Sequence, residues 1–138
     1  MYERVLVAID RSENSERALD AARELASLSD GEVWVLHLRE QEVIARMGLI
    51  ADESPEEAHL WVESAAAELR NAGVKATSVI RSMIYGQAAR EIVAEARLHN
   101  AGIIVVGSRG RRDLTGFFLG STAHKVIHLT DGPVLVVR

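Results

Sequence analysis

Three glycines and a pair of hydroxyls, spaced Gly107-x2-Gly110-x9-Gly120-Ser121-Thr122, form the stretch of this chain best suited to chemistry. Gly107 and Gly110 carry no Cβ, so main chain can come close to a ligand there. Gly120-Ser121-Thr122 opens a helical pattern, and a helix start offers an anion unpaired N–H groups and the positive end of a dipole. Ser121 and Thr122 add hydroxyl donors, while Arg109, Arg111 and Arg112 concentrate positive charge on the same connection. Taken singly, each glycine is as well explained by a turn, and Ser121 by helix capping. Together they describe a cradle for phosphate.

Other groupings reach less far. His124 and His128 stand four apart on one helical stretch, yet no third metal ligand accompanies them, so solvent-facing or interface roles are expected. His37 closes a strand and is expected to pack or hydrogen-bond beside the site rather than act as a base. His59 and His99 read as ordinary surface helix residues, Trp34 and Trp61 as core packing. Phe117-Phe118 fits anchoring of the loop to its own domain. Neither a dinucleotide Gly-x-Gly-x-x-Gly nor a Walker A loop is present, because Gly102 to Gly107 spans a strand and continues into Ser-Arg. Phosphoryl hydrolysis needs a positioned water and stabilised transition-state charge. Asp10 is the one carboxylate expected nearby, and Asp113 lies in a loop that gives it no defined role. No catalytic residue is assigned, and binding with at most slow hydrolysis is the expectation.

The elements that must position these residues follow from hydrophobic patterning. Residues 5–9 (Val-Leu-Val-Ala-Ile) are a continuous apolar run, as a strand buried on both faces should be. Ser12 is a candidate N-cap for a helix with Ala18, Leu19, Ala22, Leu25 and Ala26 on one face, stopped at 29–31. Residues 33–38 read as a second strand, and 39–53 as the least regular part, a mobile loop or short helix. Ser54-Pro55-Glu56-Glu57 starts a helix carrying Ala58, Trp61, Val62, Ala65 and Leu69. Residues 74–81 alternate and look like an edge strand, followed by a helix from about 87. Residues 103–106 form a strand before the glycine loop, and a short helix from Ser121 precedes the last strand, 134–137. The repeated Asn-Ala-Gly at 71–73 and 100–102 is helix-stop chemistry, with Gly expected as the left-handed cap. Strand alternating with helix implies right-handed crossovers and a parallel sheet covered on both faces, an α/β fold.

Composition bounds the rest. The chain has 138 residues, with 20 Asp and Glu against 16 Lys and Arg, giving a net charge of −4. That length suits one domain over 1–138, since single cores hold roughly 100–200 residues. With no cysteine, disulfide frameworks, thiolate metal sites and Cys nucleophiles are excluded; a reduced, cytoplasmic setting is the expectation. No signal-like start and no membrane-length apolar run is present, so no membrane is expected. An acidic balance argues against nucleic acid, which wants a basic face.

On these residues the chain resembles the universal stress protein family, whose ATP motif is Gly-x2-Gly-x9-Gly-Ser/Thr. The likeness includes the start with Asp10-x-Ser12, Val-Leu-His37-Leu38 at strand two, and the terminal Pro-Val-Leu-Val-Val. The resemblance implies a Rossmann-like open sheet of five parallel strands in order 3-2-1-4-5, with an adenine nucleotide between strands one and four. Asp10 and the Leu38 main chain would hold the adenine, with Ala8, Ile9 and Gly107 beside the adenosine. Gly110, Gly120, Ser121 and Thr122 would hold the phosphates, with Mg²⁺ or Mn²⁺ accompanying them, and Arg109 occupies a variable position of the motif. Ala123 stands where some members place a further hydroxyl. The ligand would be ATP, or else ADP, AMP or cyclic AMP.

The leading reading is therefore a stress-response or regulatory protein that binds ATP. It would pair as a homodimer through Val134–Val137, which would otherwise be an exposed apolar edge, and act on a protein partner the sequence leaves unknown. A slow ATPase or nucleotide transferase using the same cradle is one alternative. A homodimeric interaction module without nucleotide is the other.

Overall fold

A computed structural model describes residues 2–110 and 119–138. In chain order its elements are β1 (Arg4–Ile9), α1 (Glu13–Ser29), β2 (Glu32–Ile44), β3 (Gly48–Ala51), α2 (Pro55–Asn71), β4 (Lys75–Ile84), α3 (Ala88–Leu98), β5 (Ile103–Gly107), α4 (Ser121–Leu129) and β6 (Val134–Val137). The parallel strands lie in the order β4-β2-β1-β5-β6. Leaving out β3, this is the expected 3-2-1-4-5.

The continuous apolar runs are explained by the two faces they serve. Val5, Val7 and Ile9 of β1 pack with Ala18, Ala22 and Ala26 of α1 and with Val62, Ala65 and Leu69 of α2. Leu6 of β1 turns the other way, joining Ile104, Val106, Ile92, Val93 and Val126 between the sheet and α3–α4. Side chains alternate across a strand, so a run buried on both faces must be apolar at every step. The alanine stripe on α1 lets that helix lie close on the sheet.

Residues 39–53 differ from the expected loop or short helix. β2 continues to Ile44, turns through Arg46 and Gly48 at φ 69° and 75°, and returns as β3, antiparallel from Gln41↔Ala51 to Ile44↔Gly48. On its other edge β4 runs alongside β2 as far as Gln41↔Ile84, so the extension is templated on both sides. Helix starts and stops differ in detail as well. Ser54 caps α2 as expected, its hydroxyl accepting from the Glu57 amide at 3.1 Å. Ser12 precedes α1 without a side-chain capping bond. Gly73 adopts the left-handed conformation at φ 88°, but after α3 it is Asn100, at φ 53°, that does so. Asn tolerates that region through local hydrogen bonding, and Gly102 is left free to send its amide to Arg4 O at 2.8 Å.

Candidate functional site

Ligands of open parallel sheets lie beyond the carboxyl ends of strands where the winding reverses. That point is between β1 and β5, whose connections leave to opposite sides of the sheet. A cleft of about 600 Å³, counted out to its open mouth, lies there. Of the predicted site residues, Ala8, Ile9, Asp10, Leu38, Gly107, Arg109, Gly110 and Thr122 all line it. Gly120 and Ser121 do not. Gly120 is buried as the N-cap of α4, its amide bonded to Ser108 O at 2.5 Å, and Ser121 faces solvent. Arg111, Arg112, Asp113, Phe117 and Phe118 lie outside the described residues.

Asp10 is held in place by its own turn. Its Oδ1 accepts from the Ser12 amide and from the Ser15 hydroxyl, each at 3.0 Å, while its amide donates to Ser15 Oγ at 2.7 Å. Ser15 escaped the sequence reading, although it stands on the buried stripe Ser15, Ala18, Ala22, Ala26 as the one polar member. A hydroxyl on a helix's buried face must find a partner, and that was the available signal. Glu40, Ala88, Ile92 and Val106 also line the cleft. Glu40 belongs to the part of β2 that sequence left irregular.

The Leu38 main chain is turned toward the cleft by register. β1 pairing ends at Ile9↔His37 and β3 pairing begins at Gln41↔Ala51, so 38–40 form an interval along that edge of β2. Gln41 O accepts from the Tyr85 amide on the β4 side at 2.9 Å. Main-chain groups alternate sides along a strand, which directs those of Leu38 and Glu40 to the interval. A donor–acceptor edge there suits a flat heteroaromatic ring, with Ile9, Ile92 and Val106 as apolar walls.

Behind the cleft lies a polar cluster. His37, 4% exposed, is in hydrogen-bond contact through Nδ1 with Ile9 O at 3.2 Å and through Nε2 with the Glu53 carboxylate. Glu53 Oε2 also pairs with Arg11 at 2.8 Å, and the Glu53 carbonyl accepts from Arg39 Nε at 2.9 Å. Trp61 meets the His37 ring edge-on at 4.7 Å and carries the Arg11 guanidinium 5.6 Å above its own ring. His37 is thus a buried hydrogen-bonding residue beside the site, as read from sequence, and Trp61 packs against it from a half-buried position. His99 departs from its expected surface role: it stacks on Trp34 at 5.0 Å and bonds Glu95, itself buried and paired with Arg81. His124 and His128 are exposed on α4, with their rings 4.6 Å apart.

The cleft thus lies at the switch point of a mostly parallel α/β sheet, the place where proteins of this architecture hold small ligands. Comparison with known proteins names the family. The universal stress protein family model matches residues 1–138. The universal stress protein YxiE of Bacillus subtilis is 35% identical, with all of both chains covered. The solved structure of MJ0577 from Methanocaldococcus jannaschii superposes at a TM-score of 0.81 with 30% identity, covering 99% of this chain and 96% of that one. A structure of the Archaeoglobus fulgidus universal stress protein in complex with dAMP is 27% identical at a TM-score of 0.75, covering 99% and 98%. The chain belongs to the universal stress protein family.

Proposed function

We propose that this chain binds an adenine nucleotide, ATP foremost, in the cleft between β1 and β5 and acts as a stress-response or regulatory protein. The observation that carries the reading is the convergence of Asp10, the Leu38 main chain, Gly107, Gly110 and Thr122 on that one cleft. The dAMP complex of the A. fulgidus relative supports the adenine nucleotide class. The base would lie on the 38–40 interval near Asp10. The phosphates would run over Gly110 and Arg109 toward Thr122 and the start of α4, where N–H groups and the helix dipole favour negative charge. Among the described residues no three His, Asp or Glu side chains come together as a metal centre, so Mg²⁺ or Mn²⁺ would be held chiefly by the phosphates.

The proposal assigns no catalytic residue, with hydrolysis slow at most. It also assigns a homodimer through β6 and a cytoplasmic location. The cysteine-free composition supports the last, and among the described residues no helix is long and apolar enough to cross a membrane.

Calorimetry of the purified chain with ATP, ADP, AMP and cyclic AMP, with and without Mg²⁺, tests the reading, alongside identification of any co-purifying nucleotide. Ser121→Glu places a carboxylate at the first residue of α4 and is expected to repel phosphate while leaving the fold intact. No heat and no thermal shift at millimolar nucleotide would sink the proposal. Steady turnover of ATP that Asp10→Ala abolishes would move the protein into the enzyme class.

A further inference from the structure

His124 and His128 stand one turn apart on α4, both exposed, and the nucleotide reading uses neither. Residues four apart on a helix share one face, with Cβ atoms about 5–6 Å from each other. The two imidazoles meet there with ring centroids 4.6 Å apart and planes at 63°. Two ring nitrogens that share one metal ion at about 2.0–2.1 Å lie about 3–3.5 Å from each other. Rings already 4.6 Å apart reach that separation by rotation about χ2, a soft torsion in histidine.

The surroundings set this pair apart from the other histidines. His37 lies against Ile9 O and the Glu53 carboxylate, and His99 against Glu95 and Trp34. α4 carries no acid between Ser121 and Leu129. Among the described residues neither the His124 nor the His128 ring has a hydrogen bond or an ion pair, so each keeps a ring-nitrogen lone pair for an ion. His128 stands in the last turn, where the negative end of the helix dipole favours a cation. Lys125, three residues before it, is the opposing charge, and its flexible stem lets the ammonium swing to solvent.

We propose that His124 and His128 chelate a late first-row divalent cation of the Zn²⁺, Ni²⁺ or Cu²⁺ class, the ions that imidazole suits. The metal takes one nitrogen from each ring, and water fills its remaining positions. Two protein ligands are too few for a closed structural site, but they suffice for a clamp with open positions. The clamp joins adjacent turns of a nine-residue helix, so bound metal stabilises the folded chain. It is separate from any Mg²⁺ carried on nucleotide phosphates, because Mg²⁺ prefers oxygen ligands. The inference stands whether or not the cleft takes a nucleotide.

Calorimetric titration of the untagged, nucleotide-free chain with ZnCl₂ tests the site. Its companions are His124→Gln, His128→Gln and His59→Gln, the last an exposed histidine on α2. The wild type and His59→Gln should bind Zn²⁺ equally, and each α4 variant should bind it at least about tenfold more weakly. Zn²⁺ should raise the unfolding temperature of the wild type and of neither α4 variant, and millimolar MgCl₂ should not displace it. A wild type that binds no Zn²⁺ at millimolar metal overturns the proposal, as does a loss that His59→Gln shares. If only one of the two α4 substitutions weakens binding, the ion has a single ligand there and the chelate is overturned. Displacement by Mg²⁺ also overturns it, since that would mark an oxygen site.

Discussion

Ser15 and Asp10 hold each other by a reciprocal pair of hydrogen bonds, hydroxyl to carboxylate at 3.0 Å and amide to hydroxyl at 2.7 Å. The carboxylate at the mouth of the cleft is therefore aimed by a residue one turn into α1. Ser15→Ala removes both bonds and strands a part-buried amide, at a cost of about 1–3 kcal/mol. Denaturant unfolding should record that loss, and calorimetry a weaker adenine nucleotide complex. Unaltered affinity would mean that Asp10 is placed without Ser15.

Gly107 is required by contact. A methyl group there would lie 2.7 Å from Asn14 Cβ, so Gly107→Ala should destabilise the chain by about 1–3 kcal/mol, as overpacking does. Asn14→Gly added to Gly107→Ala should recover part of that loss in a double-mutant cycle, since it removes the atom in the way. Additive effects would place the strain elsewhere.

Glu53 binds His37 and Arg11 together, with side-chain exposures of 9%, 5% and 36% respectively. Breaking a fully buried pair costs about 3–5 kcal/mol. The exposure of Arg11 reduces this, and Glu53→Gln is expected to lose about 2 kcal/mol on that basis. Thermal unfolding of Glu53→Gln beside Arg11→Gln separates the two arms: the larger fall should accompany the change that leaves His37 without its carboxylate.

Glu63 on α2 accepts from the Ser78 hydroxyl at 2.5 Å and pairs with Arg70, which together hold its carboxyl below the ordinary carboxylate value of 4.5. A carboxyl that is more acidic folded than unfolded contributes stability above its unfolded value, and that contribution fades as pH falls through the folded one. The stability difference between wild type and Glu63→Gln should be largest near neutral pH and shrink steadily in acid. A difference constant from neutral pH to pH ~3 would contradict the assignment.

The outer edge of β6 should carry the dimer. Val137 O accepts from the Ser108 amide and Pro133 O from the Ile104 amide, so residues 133, 135 and 137 turn their main chains to β5. By alternation the Val136 N–H points away from the sheet. Val136→Pro deletes that outward donor and leaves the inner ladder intact. Light scattering should find the wild type dimeric and this variant monomeric, with little change in its unfolding temperature.

The central strands and helix faces were readable because residues 5–9 and 103–106 are apolar at every step, a pattern that burial on two faces produces, whereas the strand order came from the family resemblance. The β2–β3 hairpin was not readable for the converse reason. Val43, Met47 and Leu49 are exposed, at 67%, 68% and 55%, so no buried face imposed an alternation. The cleft was legible where backbone freedom or a strand-end carboxylate marked it, at Gly107, Gly110 and Asp10. Ser121 and Thr122 looked equivalent by type, yet the helical turn sends Thr122 inward and Ser121 to solvent.

β1 stops at Ile9, while β2 beside it runs on to Ile44. The cleft is therefore a missing rung in a sheet rather than a hole in a core. A cavity opened inside packed side chains forfeits their mutual contacts, but a strand that ends early leaves the layers above and below intact. A planar ring slotted against Leu38 would stand in for the absent stretch of β1. Binding would then stitch β3 and the end of β2 to the rest of the sheet, and a bound ligand should slow amide exchange in the hairpin as well as at the cleft itself.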